Sequence, residues 1–432
     1  MWESWSGLTR SHPAQVMTPV DAGDVVDAVV AAGAHGLRVK MVGSGHSFTD
    51  IASVDGLLLL PGRLVGITAV DRDAMTVTVL AGTPLHVLNE QLHVLGLALH
   101  NLGDIDQQTV AGAIATGTHG TGGRWASLSA QVTALDVVTG DGTRVEARPG
   151  GTPLEADLFA AARVGLGALG ILTAVTLLVE PAFTLSAVES PMSWSEVVDG
   201  FEELASGHDH FEAYWFPHTD RMLTKRNDRT SDEPRPLSRV RSLLDDELLS
   251  NTVFGALNRL GNRAPSAIPV LNRVSSRALS ARTYSDASYR VFTSSRRVVF
   301  REMEYAVPRE VGMQALSEVR ALIDRAGWRI GFPVEIRHAP ADDVWLSTAH
   351  DRDSVYLAFH VNAQTDHTAY FAGVEQVLRT YDGRPHWGKL HTRSAADLAT
   401  TYPRFEDFVA LRDRVDPSRR FTNDYLERVL TR

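Results

Sequence analysis

No cysteine occurs in the 432 residues. Disulfides, thiolate catalysis and cysteine-ligated iron–sulfur clusters are excluded at once. Positive charge is not in excess either: 42 lysines and arginines stand against 52 aspartates and glutamates, a net charge of −10. A general nucleic-acid binder, which needs a basic face, is therefore not expected. No apolar run reaches the ~20 residues of a spanning helix. The longest, over residues 165–179, is rich in glycine and β-branched residues and suits a strand. Met1-Trp2-Glu3-Ser4-Trp5 carries neither the basic nor the apolar stretch of a secretory signal, and a cytoplasmic location is expected. There is no Gly-Lys-Ser/Thr phosphate loop. Gly-x-Gly-x-x-Gly does not follow the first strand, which argues against a Rossmann dinucleotide fold. The sixteen histidines include no His-x-x-x-His and no carboxylate triad at metal spacing on one element, so no metal site is expected.

What the chain does contain is glycine in three clusters. Gly43-Ser44-Gly45-His46-Ser47-Phe48 follows a strand-like run over residues 37–42. Two glycines there allow a turn and a close ligand approach, and successive free N–H groups make a cradle for an anion such as a diphosphate. Residues 111–122 are nearly all small. Such a run buries too little area for an ordinary core and points to backbone lying against a flat ligand. Gly165-Leu166-Gly167-Ala168-Leu169-Gly170-Ile171 reads as a close-packed turn feeding a buried strand. The length suggests two domains. Helices are predicted over residues 20–34 (Val25, Val26, Val29 and Val30 on one face), 83–95, 154–162, 311–326 and 371–380. Strands are predicted over 74–79, 132–139, 211–216, 298–305, 331–337 and 355–361. Residues 230–282, rich in Ser, Arg, Pro and Asn with a short helical run over 243–254, read as a lid or accessory helical segment.

The order Gly-Ser-Gly-His-Ser-Phe, Ala-Gly-Ala-Ile-Ala-Thr-Gly-Thr-His-Gly-Thr-Gly, Gly-Ala-Leu-Gly-Ile resembles the FAD domain of the vanillyl-alcohol-oxidase flavoprotein superfamily. The C-terminal part is similar to its sugar-1,4-lactone oxidase branch, on the evidence of Glu302-Met303-Glu304-Tyr305-Ala306-Val307-Pro308, Glu335-Ile336-Arg337, Pro385-His386-Trp387-Gly388-Lys389 and Phe421-Thr422-Asn423-Asp424-Tyr425. The resemblance spans nearly the whole chain. It implies an α+β, two-domain FAD-binding (PCMH-type) fold with an inserted substrate or cap domain on a mainly antiparallel sheet. The expected division is 1–180 for FAD, 181–380 for the cap, and 381–432 returning to the flavin.

The resemblance implies that FAD is held by Val42, Gly43, Ser44, Gly45, His46 and Ser47, by Gly103, by Thr109, Gly112, Ala113, Thr116, Gly117 and His119, by Gly170 and Ile171, and by His386 and Lys389. His46 would be linked covalently to the flavin 8α-methyl carbon. Glu335 and Arg337, two apart on a strand, share a face, with Ile336 on the other. That spacing reads as an exposed ion pair or, as the resemblance implies, as a fixed cation at the reacting carbon with a glutamate to orient it. Lys389 would be a second cation there. His360 is a candidate general base or a satisfied interior histidine, and Asn362 would share its face. Asp104 would bind a substrate hydroxyl or cap a turn. Gly103 leaves room near the flavin, which in the family goes with access of oxygen. The implied activity is oxidation of an aldono-1,4-lactone, L-gulono-1,4-lactone first, at the C2 hydroxyl, with hydride transfer to flavin and ascorbate or an analogue as product. Oxygen or another acceptor would reoxidise the flavin. The alternative is an alditol oxidase acting on a polyol such as xylitol or sorbitol; a flavin-binding module without turnover is the reading from another class.

Overall fold

The computed structural model describes residues 1–238, 260–261, 263–278, 280–294 and 298–432. The helical run expected over 243–254 lies outside them, as does part of the accessory segment. The architecture is α+β. A small parallel sheet is formed by β1 (Gln15–Met17), β2 (Val39–Met41) and β3 (Leu57–Leu59), with β3 in the middle. Helix α1 (Ala22–Ala34) precedes β2. Its N-cap, Asp21, accepts a hydrogen bond from the Asp24 amide at 2.9 Å. Val25, Ala28, Val29 and Ala32 form its buried face. Val30, expected on that face, is exposed, because the helix turns it one position past the stripe.

A five-stranded antiparallel sheet follows. It comprises β4 (Ile67–Asp71), β5 (Thr76–Leu80), β6 (Val132–Val138), β7 (Arg144–Ala147) and β8 (Ile171–Leu178), in the order β7-β6-β8-β5-β4. Three helices pack with it: α2 (Leu85–Val94), α3 (Val110–Ala115) and α4 (Pro153–Ala162). The last has a capping box, Thr152 with Glu155.

The second half is built on eight antiparallel strands: β9 (Thr184–Ser193), β10 (His210–Trp215), β11 (Arg221–Thr230), β12 (Arg282–Ala287), β13 (Phe300–Pro308), β14 (Val334–Ala339), β15 (Ser354–Asn362) and β16 (Arg384–Pro385). Their order is β12-β9-β11-β10-β14-β15-β13-β16. Helices α5 (Gly312–Ala326) and α6 (Thr368–Thr380) cover one face. Leu316, Val319 and Ile323 on α5 meet Met303, Tyr305, Ile336, Leu357 and Phe359 from the sheet. Each fully buried Leu, Val or Ile contributes roughly 1.5–3 kcal/mol, so this stripe holds helix to sheet. Strand alternation sends the intervening residues to the opposite face, and there the chemistry lies.

Two C-terminal helices, α7 (Phe405–Val415) and α8 (Asp424–Leu430), return the chain to the first half. Asn423 caps α8, and its side-chain amide donates to the carbonyls of Asp50, Ile51 and Ser53 at 3.1, 2.9 and 3.0 Å. The Phe-Thr-Asn-Asp-Tyr motif is thus a clamp on the turn that follows the first glycine loop. Among the described residues no helix is long and apolar enough to cross a membrane.

Candidate active site

Two cavities meet at His46. The first is a cleft of about 1100 Å³ walled by the three glycine clusters: residues 40–47, residues 108–116 and residues 165–172. The loops touch backbone to backbone. A Cβ on Gly43 would lie 2.4 Å from Thr109 Oγ1 and 3.7 Å from the Gly112 Cα, so no side chain fits between them. Gly45 has φ +71°, the left-handed turn that frees the following amides. Ser44 Oγ donates to the Gln107 carbonyl at 2.5 Å, tying the first loop to the second. Thr109 caps α3 by accepting from the Gly112 amide at 3.2 Å.

The small-residue run is not wholly a ligand surface. Val110, Ala113 and Ile114 belong to the main core, while Ala111, Gly112, Ala115 and Thr116 line the cleft. Ala113 is fully buried on the core side of α3, and neither it nor Gly117 is among the residues that line the cleft. Val42, Gly43, Ser44, Gly45, His46, Ser47, Thr109, Gly112, Thr116, Gly170 and Ile171 do line it.

The second cavity, about 810 Å³, shares His46, Ser47, Gln108 and Thr116 with the first. Its floor is the face of the large sheet turned away from α5 and α6. Glu302 and Glu304 come from β13, Glu335 and Arg337 from β14, and His360 from β15. In register, Ala358 stands between Glu304 and Glu335, and its small side chain leaves the floor open. Strand β16 pairs with β13 and delivers the His386-Trp387-Gly388-Lys389 segment. The His386 amide donates to the Glu304 carbonyl (3.0 Å) and the Leu390 amide to that of Glu302 (2.9 Å). The Phe48 amide donates to the Gly388 carbonyl at 2.8 Å, which locks this segment to the histidine loop.

Glu335 is buried and Arg337 is partly buried. Arg337 Nε lies 2.7 Å from Glu335 Oε1 and 3.0 Å from Glu212 Oε2. Burial disfavours the guanidinium charge, but Glu335 and then Glu212 outweigh it and hold Arg337 well above its ordinary range. Tyr214 donates its hydroxyl to Glu335 Oε1 at 3.3 Å. Lys389 Nζ bonds Glu302 Oε2 and lies 5.3 Å over the Phe48 ring. Burial would raise the Glu302 carboxyl; Lys389 and then His360 reverse this and hold it at about 2.

His360 is buried, with Nδ1 3.2 Å from the Pro333 carbonyl and Nε2 3.5 Å from Glu302 Oε1. Both nitrogens therefore have protein partners, as a satisfied interior histidine does, although the ring also borders the cavity. Asn362, expected beside it, lines a separate cavity of about 1000 Å³, and its Oδ1 accepts the Gln364 amide at 3.0 Å. It caps a turn, and the structure does not bring it to the other candidates. Asp104 lines the 810 Å³ cavity and accepts a hydrogen bond from Ser294 Oγ at 2.6 Å. Gly103 lines it too, but its Cβ position is not open: a methyl there would sit 3.1 Å from Thr118 Cγ2 and 3.2 Å from the His119 carbonyl oxygen. The space at Gly103 is taken up by its own neighbouring loop.

His119, Glu304 and His386 form a cluster that no local spacing announces, with one potential ligand atom from each within 4.8 Å of the others. His119 Nε2 meets Glu304 Oε1 at 2.8 Å and its Nδ1 meets the Gly120 carbonyl at 2.8 Å; its ring stacks on Tyr356. His386 Nδ1 accepts the Gly388 amide at 3.1 Å, which leaves the ring proton on Nε2 and no lone pair there for a cation. Burial alone would raise Glu304, yet His119 beside it, with help from His386 and Lys389, keeps it well below the carboxylate range. Burial holds His386 at about 4.

His46 stacks on Trp5, with ring centroids 5.4 Å apart. Burial, and then the charge of Lys389, lower its pKa, so the imidazole is neutral near pH 7. Sequence reasoning passed over Glu302, Glu304, Glu212 and Lys40. The first two carried the signal used for Glu335 and Arg337, a period of two on a strand. Lys40 carried none, since it alternates with apolar residues as a solvent-facing lysine would.

Comparison with known proteins adds the following. Residues 13–148 match the family described as FAD binding domain, and residues 175–429 match D-arabinono-1,4-lactone oxidase. L-gulono-1,4-lactone dehydrogenase of Mycobacterium tuberculosis is 40% identical over 430 residues, covering 100% of this chain and 99% of that protein. L-gulonolactone oxidase of Mus musculus is 32% identical (99% and 98% covered), and alditol oxidase of a Streptomyces species 31% identical (99% and 98%). Among solved structures, cholesterol oxidase from Brevibacterium sterolicum shares the fold, with TM-score 0.79 at 19% identity over 99% of this chain and 96% of that one.

Proposed function

The chain belongs to the D-arabinono-1,4-lactone oxidase family and is a flavin-dependent sugar-lactone oxidoreductase, and from that premise we propose that its substrate is an aldono-1,4-lactone, L-gulono-1,4-lactone first, oxidised at the C2 hydroxyl. The observation that carries the reading is the pair of partly buried cations, Arg337 and Lys389, facing one cavity that opens at His46 into the glycine cleft. The fit to FAD rests on that cleft: two loops in backbone contact where a Cβ would collide, with free amides at the turn.

FAD, when bound, supplies a two-electron acceptor for the hydride released from the substrate carbon. The amides of residues 43–47, with Thr109, Gly112, Thr116, Gly170 and Ile171, would hold its dinucleotide part; Gly103, His119, His386 and Lys389 would border its reactive end. Arg337, clamped by Glu335 and Glu212, stabilises the negative charge that grows on the substrate oxygen as its proton leaves. Lys389, held by Glu302, adds a second positive charge at the rim. His360 and Glu302 act as one proton-accepting unit, because the imidazole nitrogen that could take the proton already faces that carboxylate. Asp104 binds a further hydroxyl. The product ketone enolises to ascorbate or an analogue, and oxygen or another acceptor removes the electrons. The same reading divides the chain into 1–180 for FAD, 181–380 for the cap and 381–432 returning to the site.

Anaerobic mixing with L-gulono-1,4-lactone is expected to bleach the flavin spectrum, with xylitol far slower. Faster bleaching by xylitol would make the protein an alditol oxidase, and no bleaching by either would remove turnover altogether. His46 is the proposed point of covalent attachment, its neutral imidazole having a lone pair to give. Acid precipitation is expected to leave yellow protein from the native chain and to release all flavin from His46→Ala. Flavin retained by that variant would place the bond on another residue.

A further inference from the structure

The glycine cleft contains one charge that nothing described so far uses. Lys40, in β2, is only 2% exposed. Lysines are almost never buried to this degree unless paired. Among the described residues its Nζ makes a single hydrogen bond, to the Gly167 carbonyl at 3.0 Å, and no ion pair within 4 Å. An ammonium has three N–H donors. The carboxylate whose field reaches it, Asp416, is engaged elsewhere, accepting the amides of Arg420 and Phe421 at 2.9 and 2.8 Å. Burial accordingly pushes the lysine down to about 7. Lys40 nonetheless borders the cleft, and among the described residues that line it there is no other Lys or Arg and no Asp or Glu.

We propose that Lys40 is the counter-charge for the diphosphate of the bound dinucleotide. The inference rests on the FAD reading of the cleft and names the group that makes it work. Glycine amides supply dipoles but no net charge. A diphosphate brings two negative charges into a cleft whose other described lining residues carry no Lys, Arg, Asp or Glu, where uncompensated charge is costly. Lys40 lies three residues before Gly43 on the strand that leads into the amide cradle, and its one bond holds the opposing 165–170 loop. The empty protein bears the cost of a buried, under-bonded ammonium; the ligand removes it. Binding and folding stability are then opposed at this residue, which a structural tether would not produce.

The test uses the full chain in a His46→Ala background, so that FAD can be removed and returned. Lys40→Met is expected to raise the Tm of the flavin-free protein and to weaken FAD binding about 10- to 100-fold, the scale of one lost hydrogen bond to a charged group. ADP, as a competitor of FAD, is expected to weaken in parallel, and riboflavin, which has no phosphate, to be unaffected. A lower Tm with unchanged FAD affinity would make Lys40 a tether for Gly167 only. Riboflavin weakened as much as FAD would put the contact away from the phosphates. If His46→Ala itself binds no FAD, the flavin reading of the cleft fails, and this inference with it; if it binds FAD and Lys40→Met binds it equally well, Lys40 alone is wrong.

Discussion

Arg337→Ala is expected to lower the rate of anaerobic flavin reduction by lactone about 100-fold or more, the scale of losing one preorganised donor to a developing oxyanion. The expectation comes from the arrangement around the guanidinium. Glu335 and Glu212 hold Nε from two directions, so the cation is fixed before substrate arrives and needs no reorganisation at the moment of reaction. The same arrangement predicts a second effect. Without Arg337 the two glutamates face each other in a buried site, and removing one partner of a buried pair costs about 3–5 kcal/mol. Reduced stability of the single variant is therefore expected. Arg337→Met combined with Glu212→Gln is expected to recover stability and to remain slow, which separates chemistry from folding. Stopped-flow reduction and a denaturant midpoint on each variant are the measurements. Near-normal reduction in Arg337→Ala would take Arg337 out of the mechanism.

The second large effect is on acid stability. Burial holds His338 and His391 at about 3, against 6.5 for an unperturbed imidazole. Among the described residues neither His338 nitrogen has a hydrogen-bond partner, and the ring meets the edge of Phe201 in the core. The Tyr425 hydroxyl gives its proton to the Trp387 carbonyl at 3.0 Å, so His391 Nε2 donates to that hydroxyl at 2.9 Å, and among the described residues Nδ1 has no partner. Both groups prefer the proton in the unfolded chain. Stability is thus complete above about pH 6.5 and is lost as pH falls towards 3. Each imidazole is worth about 1.4 kcal/mol per pH unit between roughly pH 6 and 4, and the two together about 2.7. Unfolding free energies measured from pH 6 to 4.5 are expected to fall, with these two rings contributing that slope. The slope is expected to lose about 1.4 kcal/mol per pH unit in His338→Phe, whose ring fits a site that offers no polar partner. An unchanged slope in that variant would mean His338 is not the proton acceptor.

The glycine clusters were legible in the sequence because their physics is local: a turn, a close approach, a cradle. Glu335 and Arg337 were legible because a strand has a period of two, and the structure puts both on the cavity face with Ile336 in the core. The same period was available at Glu302 and Glu304. What was missing was the register: only the pairing of β13 with β15 shows that Glu302 stands opposite His360 and that Ala358 leaves space beside Glu304. Asn362 failed for the complementary reason. It obeys the alternation, but it is the last residue of its strand, and the turn at Gln364 claims its side chain. The Glu304 cluster joins residues 119, 304 and 386, and Lys40 gains its meaning from Gly167; neither juxtaposition has any trace in local spacing. Ala113 differs from its neighbours Gly112 and Thr116 because a short helix can give one face to the core and the other to a cleft.

The clamp of Asn423 on the turn at residues 50–53 has a consequence for biosynthesis. Its donor is made 372 residues after the Ile51 carbonyl it secures. During synthesis the histidine loop can be tied to the second glycine loop once residue 107 is made, but the turn that follows it stays unclamped until residue 423 has been translated. The wall behind the first glycine loop is accordingly completed only when the C-terminal segment docks, and a nascent chain stalled before residue 423 would carry that turn unsecured.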